Sequence, residues 1–343
     1  MTSAEASIQL AHGGGGRLSQ QLIQELLLPA FGPADGVLHD AALLRSPGQQ
    51  LAFTTDSYVV RPLFFPGGDI GRMAVIGSAN DLAMAGARPV ALSLALILEE
   101  GLPLSVLKRV IDSIRSAATL CGVPVLTGDT KVVERGKGDG VFINTSAIGV
   151  VEHGLHIHPS RVQPGDAVLV SGDLGRHGLA ILAAREELGL RSALESDLAP
   201  LQPAVDELLA AGLDLHCLRD LTRGGLASAI HEIATAAGRR IRLEEDAIPL
   251  HPAVRAACDL LGLDPLAMAN EGRMLVICGP NDASAALQQL QARDAAARCI
   301  GVVGEPIDHQ DPLGSRHPVS LRNSLGVERP LELGRGEQLP RIC

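Results

Sequence analysis

An alternation of apolar strand-type runs with helix-period segments extends to about residue 150, stops, and begins afresh beyond His158-Pro159-Ser160. A pattern that restarts in this way constrains the chain to two α/β units, each with its own core, and 343 residues suffice for both. The boundary falls at about residue 157, giving a first unit over 1–157 and a second over 158–310. In the first, the patterns predict helices over 18–28, 71–85 and 104–120 and strands over 50–53, 59–65, 89–98, 123–126 and 140–150. The helix over 104–120 is the clearest, with Val106, Leu107, Val110, Ile111 and Ile114 at helical spacing. In the second, strands are expected over 167–171, 239–243, 274–278 and 299–303, with helices over 178–188, 203–211, 224–237 and 252–260.

From Asp308 the character changes, because Pro312, Gly314, Pro318, Gly326 and Pro330 interrupt any regular element. Residues 311–343 read as an extension whose last stretch has the composition of a mobile tail carrying no core residues. Ten extended residues reach ~33 Å, so such a tail could carry its end group between sites.

The cores must be built from Leu, Ile, Val and Ala, because aromatics make up 2% of the chain, with no Trp and only Tyr58. So few rings also leave little for stacking nucleic-acid bases. A formal net charge of −10 excludes a broad phosphate-backbone surface, so no nucleic-acid partner is expected. No run approaches ~20 apolar residues, so no membrane partner is expected either. The polar N-terminus lacks the layout of a signal peptide, and a cytoplasmic location follows by default. Cys121, Cys217, Cys258, Cys278 and Cys299 sit beside apolar or helix-like sequence, form no CxxC, and read as buried small hydrophobes. Cys343 differs from them because nothing follows it.

Acidic residues recur at strand ends and in one apolar helix. Asp56 closes a strand in Thr54-Thr55-Asp56-Ser57, and Asp129 follows one in Thr127-Gly128-Asp129-Thr130-Lys131. Asp220 lies in Arg219-Asp220-Leu221-Thr222-Arg223-Gly224-Gly225, and Asp40 in His39-Asp40-Ala41-Ala42. Carboxylates at strand ends suit Mg²⁺–nucleotide chemistry, although each taken alone is as well explained by a cap or an Asx turn. Asp81 resists that explanation best, since a charge among Ala, Leu and Met needs a partner. The run His12-Gly13-Gly14-Gly15-Gly16 and the segment Thr222–Leu226 each open a helix and could present N–H groups to phosphate, or be ordinary turns. Neither matches the Walker pattern GxxxxGK[ST]. Lys131 could neutralise phosphate charge or hold a carbonyl, and Glu271, in Ala269-Asn270-Glu271-Gly272-Arg273, could act as a base; either could equally form a surface ion pair.

Taken in order, the segments Asp56-Ser57-Tyr58-Val59-Val60, Phe65-Pro66-Gly67-Gly68-Asp69-Ile70-Gly71, Asn80-Asp81-Leu82-Ala83-Met84 and Thr127–Val133 resemble one family. Gly175-Arg176-His177-Gly178, Arg219–Leu226, Asn270-Glu271-Gly272 and the terminal Pro340-Arg341-Ile342-Cys343 extend the likeness over nearly the whole chain. The family is that of the HypE-type [NiFe]-hydrogenase maturation factors, within the PurM-like (aminoimidazole ribonucleotide synthetase) superfamily of ATP-dependent enzymes. Arg176 departs from the residue such sequences often carry between Gly175 and His177, and this loop is left out of the expected site.

The resemblance implies an α/β (α+β) fold of two PurM-like domains, the N-terminal one pairing two chains into a homodimer with ATP in a groove near the interface, and a flexible tail. It implies ATP-dependent dehydration of a carbamoyl group on Cys343, from thiocarboxamide to thiocyanate, which supplies cyanide ligands for hydrogenase iron. A HypF-type carbamoyltransferase would load the thiol, and HypC- and HypD-type scaffold proteins would receive the product. By the same resemblance Asp56, Asp81, Asp129 and Asp220 are candidates for Mg²⁺–ATP, with Asp40 as a further one and Asn80, Thr127 and Gly128 beside the nucleotide. Lys131 and Glu271 are candidates for positioning and deprotonating the carboxamide, in either order. Two rivals stand beside this: another PurM-like enzyme, such as a selenophosphate synthetase or thiamine-monophosphate kinase, and a non-catalytic scaffold with a docking tail. Neither enzyme rival has a reason to end in a free cysteine, and the scaffold predicts no ATP turnover.

Overall fold

The computed structural model describes residues 7–9, 22–31, 50–185, 194–307, 317–332, 339, 341 and 342. Contacts divide the chain into two compact units, one with the described residues up to Leu82 and Ala87–Glu152, the other with Ala83–Gly86 and His153–Ile342.

The first unit runs β1 (Gln50–Tyr58), β2 (Phe64–Phe65), β3 (Gly68–Asp69), α1 (Ile70–Met84), β4 (Ala87–Glu99), α2 (Leu104–Leu120), β5 (Val125–Val133) and β6 (Val141–Val151). A helical stretch over Ile23–Leu27 and Leu28–Phe31 precedes them, where a helix over 18–28 is expected. Its main sheet has the order β1-β6-β4-β5, with β6 antiparallel to β1 and β4, and β5 parallel to β4. Pleating sends alternate residues to opposite faces. Tyr58, Ile143 and Leu96 share one register row and are at most 5% exposed, so their face is the buried one. Of the predicted stripe, Leu107, Val110, Ile111 and Ile114 of α2 are buried, joined by Ala117, while Val106 is only half-buried. α1 is buried almost all round, as an apolar helix without a polar face must be. Its N-terminus is capped by Asp69, whose Oδ1 accepts from the Gly71 and Arg72 N–H groups at 2.8 and 3.0 Å. The other oxygen of Asp69 accepts from Ser113 Oγ of α2 at 2.6 Å, tying the two helices together.

Two expectations for this unit need correction. The strand predicted over 59–65 shrinks to Phe64–Phe65, because Pro62 has no N–H to give a ladder. More consequentially, the strand predicted to stop at Leu126 continues as β5 through Thr127, Asp129 and Lys131. Gly128 serves close packing there: a Cβ would stand 2.3 Å from the Leu94 carbonyl oxygen of β4.

The second unit contains β7 (Ala167–Val170), α3 (Arg176–Ala184), α4 (Gln202–Ala210), β8 (Leu215–Asp220), α5 (Gly225–Ala237) and β9 (Arg239–Glu244). It continues with α6 (Pro252–Leu261), β10 (Met274–Cys278), α7 (Ala283–Arg293), β11 (Arg298–Pro306), β12 (Val319–Arg322) and β13 (Glu328–Pro330). The strands form one sheet, β13-β12-β9-β11-β7-β10-β8. Val168, Val170, Leu275 and Ile277 feed a core with Leu226, Ile230 and Ile233 of α5. The alternate residues Leu169, Met274 and Val276 feed another with Val205 and Leu208 of α4 and Ala286 and Leu290 of α7. Helices therefore cover both sheet faces, which is why these strands read as unbroken apolar runs.

β8 and α7 carry too little apolar periodicity to be predicted. β12 and β13 contradict the expectation that nothing regular follows Asp308: Val319 and Leu321 alternate inward and pair in parallel with β9 despite the flanking prolines. At the chain end Ile342 is 6% exposed, so the expectation of a tail without core residues fails at that position. Among the cysteines, Cys217, Cys258 and Cys278 are buried and Cys121 is half-buried, whereas Cys299 is exposed where a bulge breaks the alternation of β11.

The tightest constraint in the first unit lies where Tyr58 crosses α1, because a Cβ at Gly77 would come within 2.2 Å of the Tyr58 hydroxyl. Gly77→Ala is expected to destabilise the protein by ~1–3 kcal/mol in urea titration, through overpacking. Adding Tyr58→Phe, which removes the hydroxyl, should recover part of the loss; an unchanged single variant contradicts the packing described.

Candidate active site

The polar residues of the first unit fall into two groups, separated by the pleat. On the buried face, Thr54 and Asp56 of β1 point toward α1, which presents Ser78 and Asp81. Thr54 Oγ1 donates to Asp81 Oδ2 at 2.6 Å. Asp56 Oδ2 accepts from the Tyr58 hydroxyl at 3.2 Å and from Ser78 Oγ at 3.4 Å. Ser78 Oγ also lies 2.6 Å from Thr145 Oγ1, with both residues fully buried. Asn80, the residue before Asp81 in α1, is buried at 2% exposure. The charge of Asp81 within an apolar helix thus has a hydroxyl partner from the neighbouring strand.

The second group stands on the opposite face of the sheet. The register pairs Ser57 with Asn144, Asn144 with Ala95 and Ala95 with Asp129, one residue out of step with the row of Asp56 and Thr145. Thr127, Asp129 and Lys131 alternate along β5 onto this open face. β5 is separated from β1 by two strands, about 14 Å at normal strand spacing. Lys131 Nζ reaches both oxygens of Asp129, at 2.9 and 2.8 Å. That hydrogen bond, with one from the Thr130 backbone N–H, holds the Asp129 carboxyl below the usual carboxylate range. Both side chains are well exposed, so the pair adds little to stability. Beyond β5, Glu99 anchors the following loop by accepting from the Gly136 and Gly140 N–H groups at 2.6 and 2.9 Å, which lowers its pKa.

The structure therefore brings Asp56 and Asp81 to the same β1–α1 contact and places Asp129, Lys131 and Thr127 on the other face of the same sheet. Gly128 contributes backbone between them. Mg²⁺ bound with a nucleotide takes one or two carboxylates and completes its shell with phosphate and water oxygens. The Asp56–Asp81 pair fits that demand. Among the described residues no three His, Cys, Asp or Glu side chains gather into a protein-only metal site. Asp40, Cys343 and the glycine run at His12–Gly16 lie outside the described residues.

In the second unit, Asp220 closes β8 and is 8% exposed. The next residue is zipped to the segment bearing Glu271: Leu221 N donates to Arg273 O at 3.0 Å, and Asn270 N donates back to Leu221 O at 2.9 Å. Asn270 is a three-way clamp, its Oδ1 accepting from Gly175 N at 2.7 Å while Nδ2 donates to the Leu221 and Met268 carbonyls. Glu271 is 2% exposed. The backbone N–H groups of Glu271 and Gly272 both donate to Asp197, at 3.2 Å each.

Sequence reasoning missed the residues that hold this loop. Arg273 binds Asp173 through Nη2 at 2.7 Å and Asp294 through Nη1 at 3.0 Å, with Asp197 at 3.8 Å. Asp173 also receives Arg176 Nε at 2.8 and 2.7 Å, which gives the unusual Arg176 a structural partner. Asp173, Asp197 and Asp294 carry no local pattern; only their meeting with Arg273 marks them. Burial pushes the thiols of Cys217 and Cys278 up to about 12 and those of Cys121 and Cys258 up to about 11, so these four stay protonated and unreactive.

This two-unit layout is that of the AIR synthase related proteins, whose N-terminal domain family matches residues 38–151 and whose C-terminal domain family matches 163–309. A carbamoyl dehydratase HypE of Rhodobacter capsulatus is 47% identical over 348 aligned positions, covering all of both chains. The crystal structure of a hydrogenase maturation protein HypE in complex with ATP superposes with a TM-score of 0.90 at 45% identity, covering 98% of this chain and 99% of that one. A HypE–HypF complex contains a chain that matches with a TM-score of 0.77 at 39% identity, over 91% of this chain and 99% of that one. The chain belongs to the carbamoyl dehydratase HypE family, within the AIR synthase related proteins.

Because Arg273 is 14% exposed and is the cation shared by Asp173, Asp197 and Asp294, Arg273→Ala leaves Asp173 with Arg176 alone and removes the ion pairs of the other two. A loss of ~3–5 kcal/mol in urea denaturation is expected. A loss below about 1 kcal/mol contradicts the role given to Arg273 in holding the Glu271 loop.

Proposed function

We propose that this protein is an ATP-dependent carbamoyl dehydratase that converts a carbamoyl group on its own Cys343 thiol into a thiocyanate, S–C(=O)–NH₂ to S–C≡N. The observation that carries the reading is similarity to a carbamoyl dehydratase HypE over the full length of both chains. An amide oxygen is a poor leaving group, and ATP supplies the phosphoryl group that turns it into phosphate. The balance is one thiocarboxamide and one ATP giving one thiocyanate, ADP, phosphate and a proton. Oxygen leaves on phosphorus, and the nitrogen gives up both hydrogens.

Asp56 and Asp81 are the residues we assign to Mg²⁺–ATP, with Asn80 beside them and Asp129, Asp220, Thr127, Gly128 and Asp40 as further candidates. The structure of a similar HypE with ATP supports the nucleotide. Glu271, excluded from water, is the assigned base for the nitrogen protons. Lys131, which stands on the sheet face opposite Asp56 and Asp81, is assigned to position the carboxamide, and Lys131 and Glu271 can exchange the roles of positioning and deprotonation. The complex of a similar HypE with HypF supports a HypF-type carbamoyltransferase as the partner that loads the thiol. HypC- and HypD-type scaffolds are proposed to take the product on to hydrogenase iron. Among the described residues no helix is long and apolar enough to cross a membrane.

A homodimer is proposed for the first unit. Leu51, Phe53 and Ile97 are 48%, 68% and 39% exposed on the open face of its sheet, beside Asp129 and Lys131, a patch that a second copy can cover. Phe53→Asp should shift sedimentation to a monomer; a wild-type chain that sediments as a monomer removes this part of the proposal.

The test of the chemistry begins with a chain carbamoylated by its partner and repurified. Intact-protein mass should drop by one water when Mg²⁺–ATP is added and hold without it. Cys343→Ala should take up no carbamoyl group. Glu271→Gln should accept the group but lose water ~10²–10⁴-fold more slowly, and Asp81→Asn should lose ATP binding. ATP hydrolysis with an unmodified terminal thiol would falsify the carrier reading.

A further inference from the structure

The end of the chain is held by a buried histidine that the chemistry above does not use. His177, the second residue of α3, is fully buried. Its Nδ1 lies 2.8 Å from Ser196 Oγ and its Nε2 lies 2.9 Å from the backbone carbonyl oxygen of Ile342. A carbonyl can only accept, so Nε2 carries a proton and donates. Burial lowers the pKa of His177 against the opposing pull of Asp197, which leaves Nδ1 bare to accept from the Ser196 hydroxyl. Ser196 Oγ in turn accepts from Leu198 N at 3.1 Å. The chain of donors, Leu198 to Ser196 to His177 to Ile342, fixes one tautomer and aims it at the tail.

Three further contacts make this a built site. Arg185 Nη2 donates to the Arg341 carbonyl at 2.8 Å. The Ile342 side chain is 6% exposed. Leu339 packs on the cluster of Leu179, Leu194, Val254, Cys258 and Met268. Arg341 itself has φ 58°, the left-handed region that residues with a Cβ seldom enter, and it is the single non-glycine case among the described residues. That bend lets two consecutive carbonyls meet two donors from different parts of α3 and its end. The residue after Ile342 is the carrier cysteine.

We infer that His177 and Arg185 form a latch on the backbone of Arg341 and Ile342, which recaptures the end of the chain that bears Cys343 between its visits to partners. The inference rests on the carrier reading of Cys343 and makes His177 a positioning residue that never touches the reacting group. It also explains why a polar ring is kept in an otherwise apolar setting: a backbone carbonyl can be released and recaptured, and an apolar residue could not select it.

The test uses the full-length protein and brief trypsin treatment, read by intact mass as loss of the Ile342–Cys343 dipeptide. Wild type should resist cleavage after Arg341, and His177→Ala and Arg185→Ala should each be cut about tenfold faster, the effect of losing one such hydrogen bond. His177→Gln, whose amide N–H can replace the Nε2 donor, should restore protection. In single turnover of the carbamoylated protein, both alanine variants should lose water more slowly at saturating ATP with the KM for ATP unchanged. Should His177→Ala unfold, shown by its melting temperature, Arg185→Ala carries the test. Equal cleavage of wild type and both alanine variants, or full dehydration rates in those variants, overturns the latch. If wild type keeps its mass on adding ATP, the carrier reading fails instead, and the protection assay still decides whether the tail is latched.

Discussion

The pleat of one four-stranded sheet governs how the first unit can do chemistry. Because β6 joins β1 to β4, and β4 carries β5 beside it, neighbouring residues on every strand are committed to opposite faces. One face is covered by apolar side chains and by α1, and there the half-buried Asp56 and Asp81 are held in place by hydroxyl groups. The other face is open, and there Lys131 meets Asp129. Hydroxyl and carboxylate groups bridge the first set tightly, whereas the second set is solvated and free to exchange its ion pair for a ligand. On the proposed function, the first set would supply a carboxylate for a cation and the second a lysine for an anion, two properties that phosphoryl transfer asks of a protein.

The second unit solves a different problem. Its sheet is covered on both sides, so the polar residues at the strand ends must find partners within the protein. Arg273 and Asn270 supply most of them, drawing the Gly175, Leu221 and Glu271 segments into one knot of hydrogen bonds and ion pairs. Such a knot is costly to leave half-made, so each member depends on the others. Glu271 and His177 both hang from it, through Asp197 and Ser196 respectively.

Much of this was legible in the sequence. The restart of the pattern near residue 157 announces the two units, and the helix over 104–120 is readable to the residue because its apolar stripe is regular. Asp81 could be singled out because a charge inside an apolar helix must have a reason. What escaped was long-range. The strand was expected to stop at Leu126, before Gly128, since sequence cannot show that the neighbouring strand's Leu94 carbonyl is what excludes a Cβ at that position. Val319 and Leu321 were hidden by prolines whose missing N–H groups fall outside the strand's own pairing. Asp197 and His177 acquire their meaning from contacts with residues far along the chain, and no local periodicity records those. The terminal cysteine was conspicuous, while the docking of Ile342 was not, because one apolar residue in a Gly- and Arg-rich stretch carries no periodic signal.

The central claim is that the terminal thiol becomes a thiocyanate on this protein. Infrared spectroscopy of the carbamoylated chain after addition of Mg²⁺–ATP tests it most directly, with the carbamoyl carbon carried as ¹²C in one sample and ¹³C in the other. The account predicts a nitrile stretch that appears only with ATP, shifts with the isotope and is missing in Cys343→Ala. A spectrum without a nitrile band, from a protein that has consumed its ATP, would contradict it.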